Sequence, residues 1–416
     1  MTSTWRFRAL DTLFFRDSRP HGGAGAAILG SLFPPSPRTV AGAVRFLLGN
    51  ALGADWSAFG RALPDQGFDA GGRDLLRLIG RHDDYGALRF AGPWLAVRTA
   101  GESWRCLYPA PRALTCDETG RPAAWLRIGP RVECDLGDVH LPTAPEHGQR
   151  SAERLWLEAS AYAEAMAGGV PDAGIYPAGS LFEIEPRLGI ARDLDRHTAA
   201  DGMLFQTRHV RPRDAVNGER DRPERAAVRE VAIEIAVTCG EEPPPDLARL
   251  VRLGGEGRLA GVDVVPGDAE IPPAPKPSPD ASGLVLALLT PVELGGSWLP
   301  PGFAADRRDG RATAWRGELA GIPLTVHSAA IAPALREGGW DLAARQPRPV
   351  RSLVPAGSAW YATVHDASGR TLTGEALEPA IGVLHGARLA DDALGHGQLA
   401  VGLFDDTRFP DLEVSR

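Results

Sequence analysis

Residues 5–10 (WRFRAL) and 39–48 (TVAGAVRFLL) decide the fold class at the start of this chain. In the first stretch, apolar and polar residues alternate, which predicts a half-buried β-strand. In the second, apolar residues recur every three to four positions, which predicts one buried face of an α-helix. Residues 11–37 between them are rich in glycine and proline and are expected to form a loop. The chain therefore begins with a strand and a helix.

Further elements continue this order through the first two thirds of the chain. The sequence predicts strands at 181–190, 231–238 (VAIEIAVT) and 258–265, and short helices at 151–166 and 246–253. Apart from its one helix, the long stretch 51–178 is expected to be mostly irregular. The order around that insertion is strand, helix, strand, strand, helix, strand, which predicts an α+β, ferredoxin-like βαββαβ unit.

A proline-rich linker is predicted at 267–281, after an N-terminal domain over 1–266. A C-terminal domain over 282–416 follows, and a second ferredoxin-like unit is expected there. Its predicted elements are strands at 284–289, 358–364 and 398–404 and a helix at 374–384.

The composition limits the classes of function. The net charge of −8 and the pI of about 5.7 argue against a protein that coats nucleic acid by bulk charge, so an RNA site must be a local patch. Lys276 is the only lysine, and arginine suits phosphate recognition better than lysine does. Four cysteines without a C-x-x-C pair predict neither zinc nor disulfides, and no cofactor, metal or membrane span is expected. A cytoplasmic location is the default expectation.

The most specific motif lies in residues 10–20 (LDTLFFRDSRP) and 31–45 (SLFPPSPRTVAGAVR). Together they resemble the start of the third subunit of the Cmr complex, the Cas5-like RAMP-superfamily member of the type III-B CRISPR effector. The chain departs from that family at Ser18, where glycine is usual, and at His21, where an aromatic residue is common.

This motif places Arg16, Arg19 and Arg38 in loops around a helix start, where backbone N–H groups and the helix dipole favour phosphate. The three arginines are therefore predicted to contact RNA, with surface coverage as the alternative. Phe14 and Phe15 are expected to belong to the core.

A second motif, residues 253–261 (LGGEGRLAG), resembles the glycine-rich loop of the same superfamily. Glycines allow close approach of a backbone, and bare amides can cradle phosphates. Gly254, Gly255, Gly257 and Arg258 are predicted to lie next to RNA, with an ordinary turn as the alternative.

A third motif, residues 196–213 (RHTAADGMLFQTRHVRPR), resembles the family's thumb, a β-hairpin that inserts between nucleotides and is placed here at about 190–229. The alternative is a solvated loop with one buried anchor. Two apolar side chains of the predicted thumb, Met203 and Phe205, are expected to contact RNA. Five arginines and one histidine are expected to do the same: Arg192, Arg196, Arg208, His209, Arg211 and Arg213.

Two later segments extend the resemblance. Residues 338–364 resemble the family's Trp-Asp segment and strand entry, which implies a structural role. Residues 393–402 (ALGHGQLAVG) lie where the superfamily often has a glycine–aromatic–glycine loop, but His396 replaces the aromatic residue.

The resemblance implies a non-catalytic subunit of antiviral defence that binds the 5′ repeat-derived tag of the CRISPR RNA. It also implies docking of the large polymerase/cyclase-like subunit and contact with the first backbone RAMP subunit. The sequence lacks dinucleotide, P-loop and zinc-protease motifs. One alternative is a metal-independent endoribonuclease that uses His21 or His209 as base. A protein–protein scaffold without RNA contact is the other.

Overall fold

The computed structural model describes residues 1–18, 27–61, 67–99, 102–193, 195–213, 230–267, 270–341 and 346–405. Strands dominate these ranges, with a few short helices, so the α+β class is confirmed. The helices are α1 (Pro37–Ala51), α2 (Trp56–Arg61), α3 (Leu75–Ile79), α4 (Ala159–Met166), α5 (Ala178–Leu181) and α6 (Glu378–Leu384), with a 3₁₀ turn at Gly374–Leu377.

The strands of the first two thirds of the chain form one large sheet and several small ones. They are β1 (Thr2–Ala9), β2 (Ala27–Leu29), β3 (Asp69–Ala70), β4 (Arg73–Asp74), β5 (Arg89–Arg98), β6 (Arg105–Pro109), β7 (Leu114–Cys116), β8 (Pro122–Trp125), β9 (Arg127–Cys134), β10 (Gly137–Thr143), β11 (Arg150–Ser151), β12 (Leu155–Glu158), β13 (Ile175–Pro177), β14 (Phe182–Asp193), β15 (Thr198–Pro212), β16 (Glu230–Thr238), β17 (Leu250–Arg252) and β18 (Leu259–Pro266).

The last third of the chain supplies a second large sheet. Its strands are β19 (Ala281–Leu288), β20 (Ala304–Arg308), β21 (Arg311–Leu319), β22 (Ile322–Ala330), β23 (Leu335–Glu337), β24 (Trp340–Asp341), β25 (Gln346–Pro347), β26 (Arg351–Leu353), β27 (Ala359–His365), β28 (Thr371–Leu372) and β29 (Leu399–Asp405).

The first large sheet has the order β13-β12-β6-β5-β16-β1-β18-β17. β1 lies inside this sheet, between β16 and β18. Because its residues alternate, Trp5 and Phe7 point to the same side and are buried in one cluster with the apolar face of α1. On the other face of β1, Arg6 pairs with Glu234 of the neighbouring strand at 2.5 Å. Burial of the aromatic face fixes the register of this strand, since a slip of one residue would expose both rings.

The two large sheets share a core. Trp94 of β5 donates a hydrogen bond from Nε1 to the carbonyl of Leu289 at 3.2 Å, and Tyr361 of β27 donates from its hydroxyl to the carbonyl of Leu126 at 2.8 Å. Side chains from both sheets, including Phe404 of β29, form one apolar cluster around these contacts. The predicted domain division at 267–281 therefore separates two sheets that pack against each other, and it stays a prediction.

Both large sheets contain the same arrangement of four adjacent antiparallel strands. The order is β5-β16-β1-β18 in the first and β22-β27-β19-β29 in the second, which in each half is second, third, first, fourth along the chain. A complete βαββαβ unit also needs two helices. Residues 239–258 and 289–321, which the structure describes in full, contain no helix, so each half has one of the two. Two complete ferredoxin-like units in tandem are therefore not confirmed.

Four predictions of local structure were wrong. The strand predicted at 181–190 within the first ferredoxin-like unit lies in the separate sheet β14-β15-β2, and β5 takes its place beside β16. Residues 51–178 contain strands β3 to β13 and are not mostly irregular. The helix predicted at 151–166 begins only at Ala159, because Leu155–Glu158 pair with β6 and β13. The helix predicted at 246–253 is absent, since Leu250–Arg252 pair with β18. Short apolar runs fit either a strand or a helix, and tertiary pairing decides between them.

Candidate nucleic-acid interface

Three segments that are far apart in the sequence meet beside the end of β1. Leu13 forms a pair of 2.8 Å backbone hydrogen bonds with Val210 of β15. Phe14 accepts a 2.7 Å hydrogen bond from the amide of Gly255 in the turn between β17 and β18. The amino-terminal motif, the hairpin β14–β15 and the glycine-rich turn, all singled out from the sequence, therefore form one surface.

The glycine-rich turn depends on one glycine in particular. Gly254 has a φ of +82°, and a Cβ at this position would lie inside van der Waals contact of the Phe14 carbonyl oxygen. The amides of Gly255 and Arg258 both donate within the protein, to Phe14 and Gly255 respectively. The expected cradle of free amides is therefore reduced, and the turn serves to hold the Phe14 segment and to position Arg258. Gly257 faces open space.

Three arginines converge on two carboxylates at this junction. Asp11 Oδ2 accepts from Arg187 Nη2 at 2.9 Å and from Arg258 Nη1 at 3.4 Å, and its other oxygen lies 3.6 Å from Arg211 Nη2. Glu185 accepts from Arg187 Nε at 2.7 Å and from Arg211 Nε at 2.8 Å. We call these five side chains the arginine cluster. Its charges sum to one excess positive charge.

The carboxylates of the arginine cluster are held ionised. A hydrogen bond from Arg187 lowers the pKa of Asp11, with further lowering by the charges of Arg211 and Arg258. Partial burial acts to raise the pKa of Glu185, but hydrogen bonds from Arg187 and Arg211 outweigh it and lower that pKa. All five side chains are partly exposed to solvent, so an external anion can reach the guanidinium groups.

The hairpin β14–β15 has two chemically different faces. Its pairing register places the cluster members Glu185, Arg187 and Arg211 on one face. The residues between them lie on the opposite face. β2 pairs with β15 at the edge of the hairpin and contributes Ile28 to that opposite face. There, large aliphatic side chains are exposed, Leu188 by 75%. We call this set the apolar face: Ile28, Ile184, Leu188, Ile190 and Leu204.

Arg208 lies on the apolar face, opposite Pro186. Its side chain is exposed and makes no hydrogen bond or ion pair with any other described residue. A cation without a partner on an apolar surface is available to an external anion.

His209 does not fit its predicted role as an RNA contact. It is only 1% exposed, its ring stacks on Phe14 at 5.1 Å, and its two nitrogens lie 3.1 Å and 3.0 Å from the hydroxyls of Thr12 and Thr207. Burial lowers the pKa of His209, and the positive charges of Arg258 and Arg187 add to that effect. The imidazole is therefore neutral at pH 7 and is a structural part of the junction. The same burial argues against His209 as the base of an endoribonuclease.

The other predicted contacts are dispersed. Arg38 forms an ion pair with Asp83 at the start of α1, and Arg213 donates to the carbonyl of Gly179 at 3.1 Å. Arg16 and Arg196 are exposed, and Phe205 is half-buried across from Gly189. Arg19 and His21 lie outside the described residues, as do the side chains of Arg192 and Met203.

His396 is also structural. It is buried, and its Nδ1 lies 2.5 Å from Asp392 Oδ2, within a turn that packs on β5. Burial acts to raise the pKa of Asp392, but the contact with His396 outweighs it and lowers that pKa. The loop at 393–402 therefore belongs to the packing between the two halves.

Sequence reasoning missed Asp11 and Glu185 as partners of the arginines. One signal was present, because residues 182–190 (FEIEPRLGI) alternate charged and aliphatic side chains and so predict a strand with two faces. The position of Asp11 carried no such signal, since its partners lie 176 or more residues away.

Within the described ranges, no group of three or more His, Cys, Asp or Glu side chains is arranged to hold a metal ion. No helix in the same part of the chain is long and apolar enough to cross a membrane.

Three solved structures contain a chain that is similar to this one. Two solved structures of the type III-B Cmr-beta complex, one bound to cognate target RNA and AMPPnP and one bound to cognate target RNA, each contain a chain that is 14% identical, with TM-scores of 0.43 and 0.42. These matches cover 86% and 87% of this chain and 86% of each of those chains. A chain in the apo state of Cmr-beta is 10% identical over 64% of this chain and 97% of its own length, with a TM-score of 0.28.

No curated protein matches the sequence. A family model described as "CRISPR-associated protein (Cas_Cmr3)" matches residues 5–403. The resemblance seen in the sequence is thereby confirmed, and the chain belongs to the Cas_Cmr3 family of CRISPR-associated proteins.

Proposed function

We propose that this chain, as a subunit of a type III-B CRISPR effector, binds the 5′ repeat-derived tag of the CRISPR RNA at the surface built from the hairpin β14–β15 and the arginine cluster. One observation supports this proposal above the others. Three segments that the sequence marks as family motifs converge on one partly exposed group of arginines, although the whole chain is acidic. A local cationic patch on an acidic protein is typical of a specific anion site.

The two faces of the hairpin suit different parts of single-stranded RNA. Guanidinium groups form paired hydrogen bonds with phosphate oxygens, so Arg187, Arg211 and Arg258 would bind the backbone. Exposed aliphatic side chains can pack against unstacked bases, and Leu188 and Ile190 would do so on the apolar face. Arg208 would bind a phosphate next to those bases.

The proposal also covers the partners and the architecture. The chain would dock the large polymerase/cyclase-like subunit, contact the first backbone RAMP subunit and cut no RNA itself. The common order of the central strands supports two ferredoxin-like units, over 1–266 and 282–416. The buried, hydroxyl-bonded His209 supports the non-catalytic role.

The first test compares binding of the full chain to a labelled CRISPR RNA and to the same RNA with a scrambled 5′ tag, over a salt series. We expect the tagged RNA to bind more tightly and both RNAs to stay intact. For the double variant Arg208→Ala, Arg258→Ala, affinity should fall by about tenfold at low salt, and the salt slope should fall by about 1.4, because two phosphate contacts are lost.

Arg370→Ala is the matched control, because Arg370 is exposed on the turn between β27 and β28 of the second sheet and pairs only with Asp366 among the described residues. Its affinity should equal that of the wild type.

Cleavage within the repeat without metal would favour the endoribonuclease. If the folded chain binds neither RNA, the protein–protein scaffold is favoured.

A further inference from the structure

Asp11 contacts all three arginines of the arginine cluster. Each of the three guanidinium groups lies within 3.6 Å of one of its oxygens. Its side chain is 51% exposed, against 27% for Glu185, so Asp11 is the outer carboxylate of the two. Glu185 pairs with Arg187 and Arg211 but not with Arg258, and it lies on β14, the same strand as Arg187.

We propose that Asp11 is an internal counter-anion, which an RNA phosphate displaces when it binds the arginine cluster. This inference rests on the proposed RNA-binding function and names the residue that regulates the same site. Carboxylate and phosphate present oxygens of similar spacing to guanidinium groups, so one can replace the other.

The backbone around Asp11 is fixed, which limits the exchange to its side chain. The amide of Leu10 donates to the carbonyl of Leu259 at 3.2 Å, and Leu13 is held by Val210. Thr12 is buried, and its hydroxyl contacts His209. Rotation of the exposed Asp11 side chain therefore removes its carboxylate from the three guanidinium groups without any rearrangement of the strands, while Glu185 stays paired with Arg187 and Arg211.

The arrangement predicts a cost for every bound phosphate. An RNA must compete with a carboxylate that is already in place and that stays nearby after it is displaced. This cost lowers the affinity of every RNA that binds the arginine cluster by the same factor, so binding by charge alone, which is the weakest, is lost first. Only RNAs that also engage the rest of the surface then bind tightly enough to stay in place.

The test is Asp11→Asn in the full chain, because asparagine keeps the shape and removes the charge. We expect the variant to bind CRISPR RNA about fivefold more tightly at low salt, the factor that one unit charge a few ångströms from a phosphate produces in water. The gain should disappear near 1 M salt, where charges are screened. Asp263→Asn is the control, because Asp263 is also partly exposed, carries the same charge and pairs with Arg8 instead of the cluster arginines. Its affinity should change by less than about twofold, because a charge that contacts none of the three arginines acts on a bound phosphate from farther away.

Unchanged or weaker binding by Asp11→Asn would overturn the inference, and weaker binding would show that Asp11 orders the arginines instead. A second arm replaces RNA by inorganic polyphosphate, which has phosphates but no bases. If neither the wild type nor Asp11→Asn binds RNA, but the variant binds polyphosphate more tightly than the wild type does, the counter-anion role is supported and the RNA function is rejected. If the variant gains affinity for neither polyanion, the counter-anion role is rejected as well.

Discussion

Replacement of Gly254 by alanine is expected to lower the free energy of unfolding by about 2–4 kcal/mol and to abolish tag-specific RNA binding. The residue has a φ of +82°, a conformation that costs an L-residue about 1–2 kcal/mol. The added Cβ would also meet the Phe14 carbonyl oxygen, so the 2.7 Å hydrogen bond from the Gly255 amide would be lost or stretched. That bond joins the amino-terminal motif to the turn that carries Arg258.

The matched control for this change is Gly257→Ala in the same turn. Gly257 has a φ of +64°, but a Cβ there meets nothing within 4 Å. It should therefore show only the conformational cost of about 1–2 kcal/mol and keep the hydrogen bond between Gly255 and Phe14. Urea denaturation and the salt-series binding assay measure both effects. If the two alanine variants behave alike, the contact with Phe14 does not organise the surface.

Replacement of Trp94 by alanine is expected to have the largest effect on stability, about 3–5 kcal/mol. The indole is 1% exposed and packs edge-on against Tyr108 at 5.5 Å, in the cluster that the two large sheets share. Its Nε1–H donates to the carbonyl of Leu289, just beyond β19. Alanine would leave a cavity between the sheets and a buried carbonyl without its donor.

Trp94→Phe separates these two contributions. Phenylalanine keeps most of the apolar volume and removes the hydrogen bond, so we expect a loss of about 1–3 kcal/mol. Urea denaturation, followed by far-UV circular dichroism of the backbone, gives the free energy of unfolding of both variants. We also expect Trp94→Ala to unfold in two steps, because the shared core couples the two halves. A single transition with an unchanged midpoint would show that this core contributes little to the stability of the chain.

The success of the sequence predictions followed the strength of the local pattern. Strong alternation or helical spacing correctly placed β1, α1, β16, β27 and β29. The region 51–178 was misjudged, since many of its strands have only two to four residues, and others, as at 155–157, are buried on both faces, so that neither kind gives a clear period. The helix predicted at 246–253 failed because pairing of Val251 with Ala260 overrode a weak local preference.

The candidate site, like the fold, was predicted from the sequence only in part. Motif and composition located the amino-terminal segment, the arginine-rich hairpin and the glycine-rich turn, because these features are written in consecutive residues. They did not reveal that Asp11 pairs with the arginines, that the amide of Gly255 is already bonded, or that His209 is buried.

The sequence by itself determined the family, the α+β class and the segments that carry arginine and glycine, since each of these follows from local pattern and motif. Only the tertiary structure decided which charges are paired and which remain available. Arg187 and Arg258 reach Asp11 across 176 and 247 residues, and Arg208 lies on the opposite face of the hairpin without a partner among the described residues. The physical reason is that an ion pair depends on distances of a few ångströms, which strand register and topology set and which no local pattern encodes.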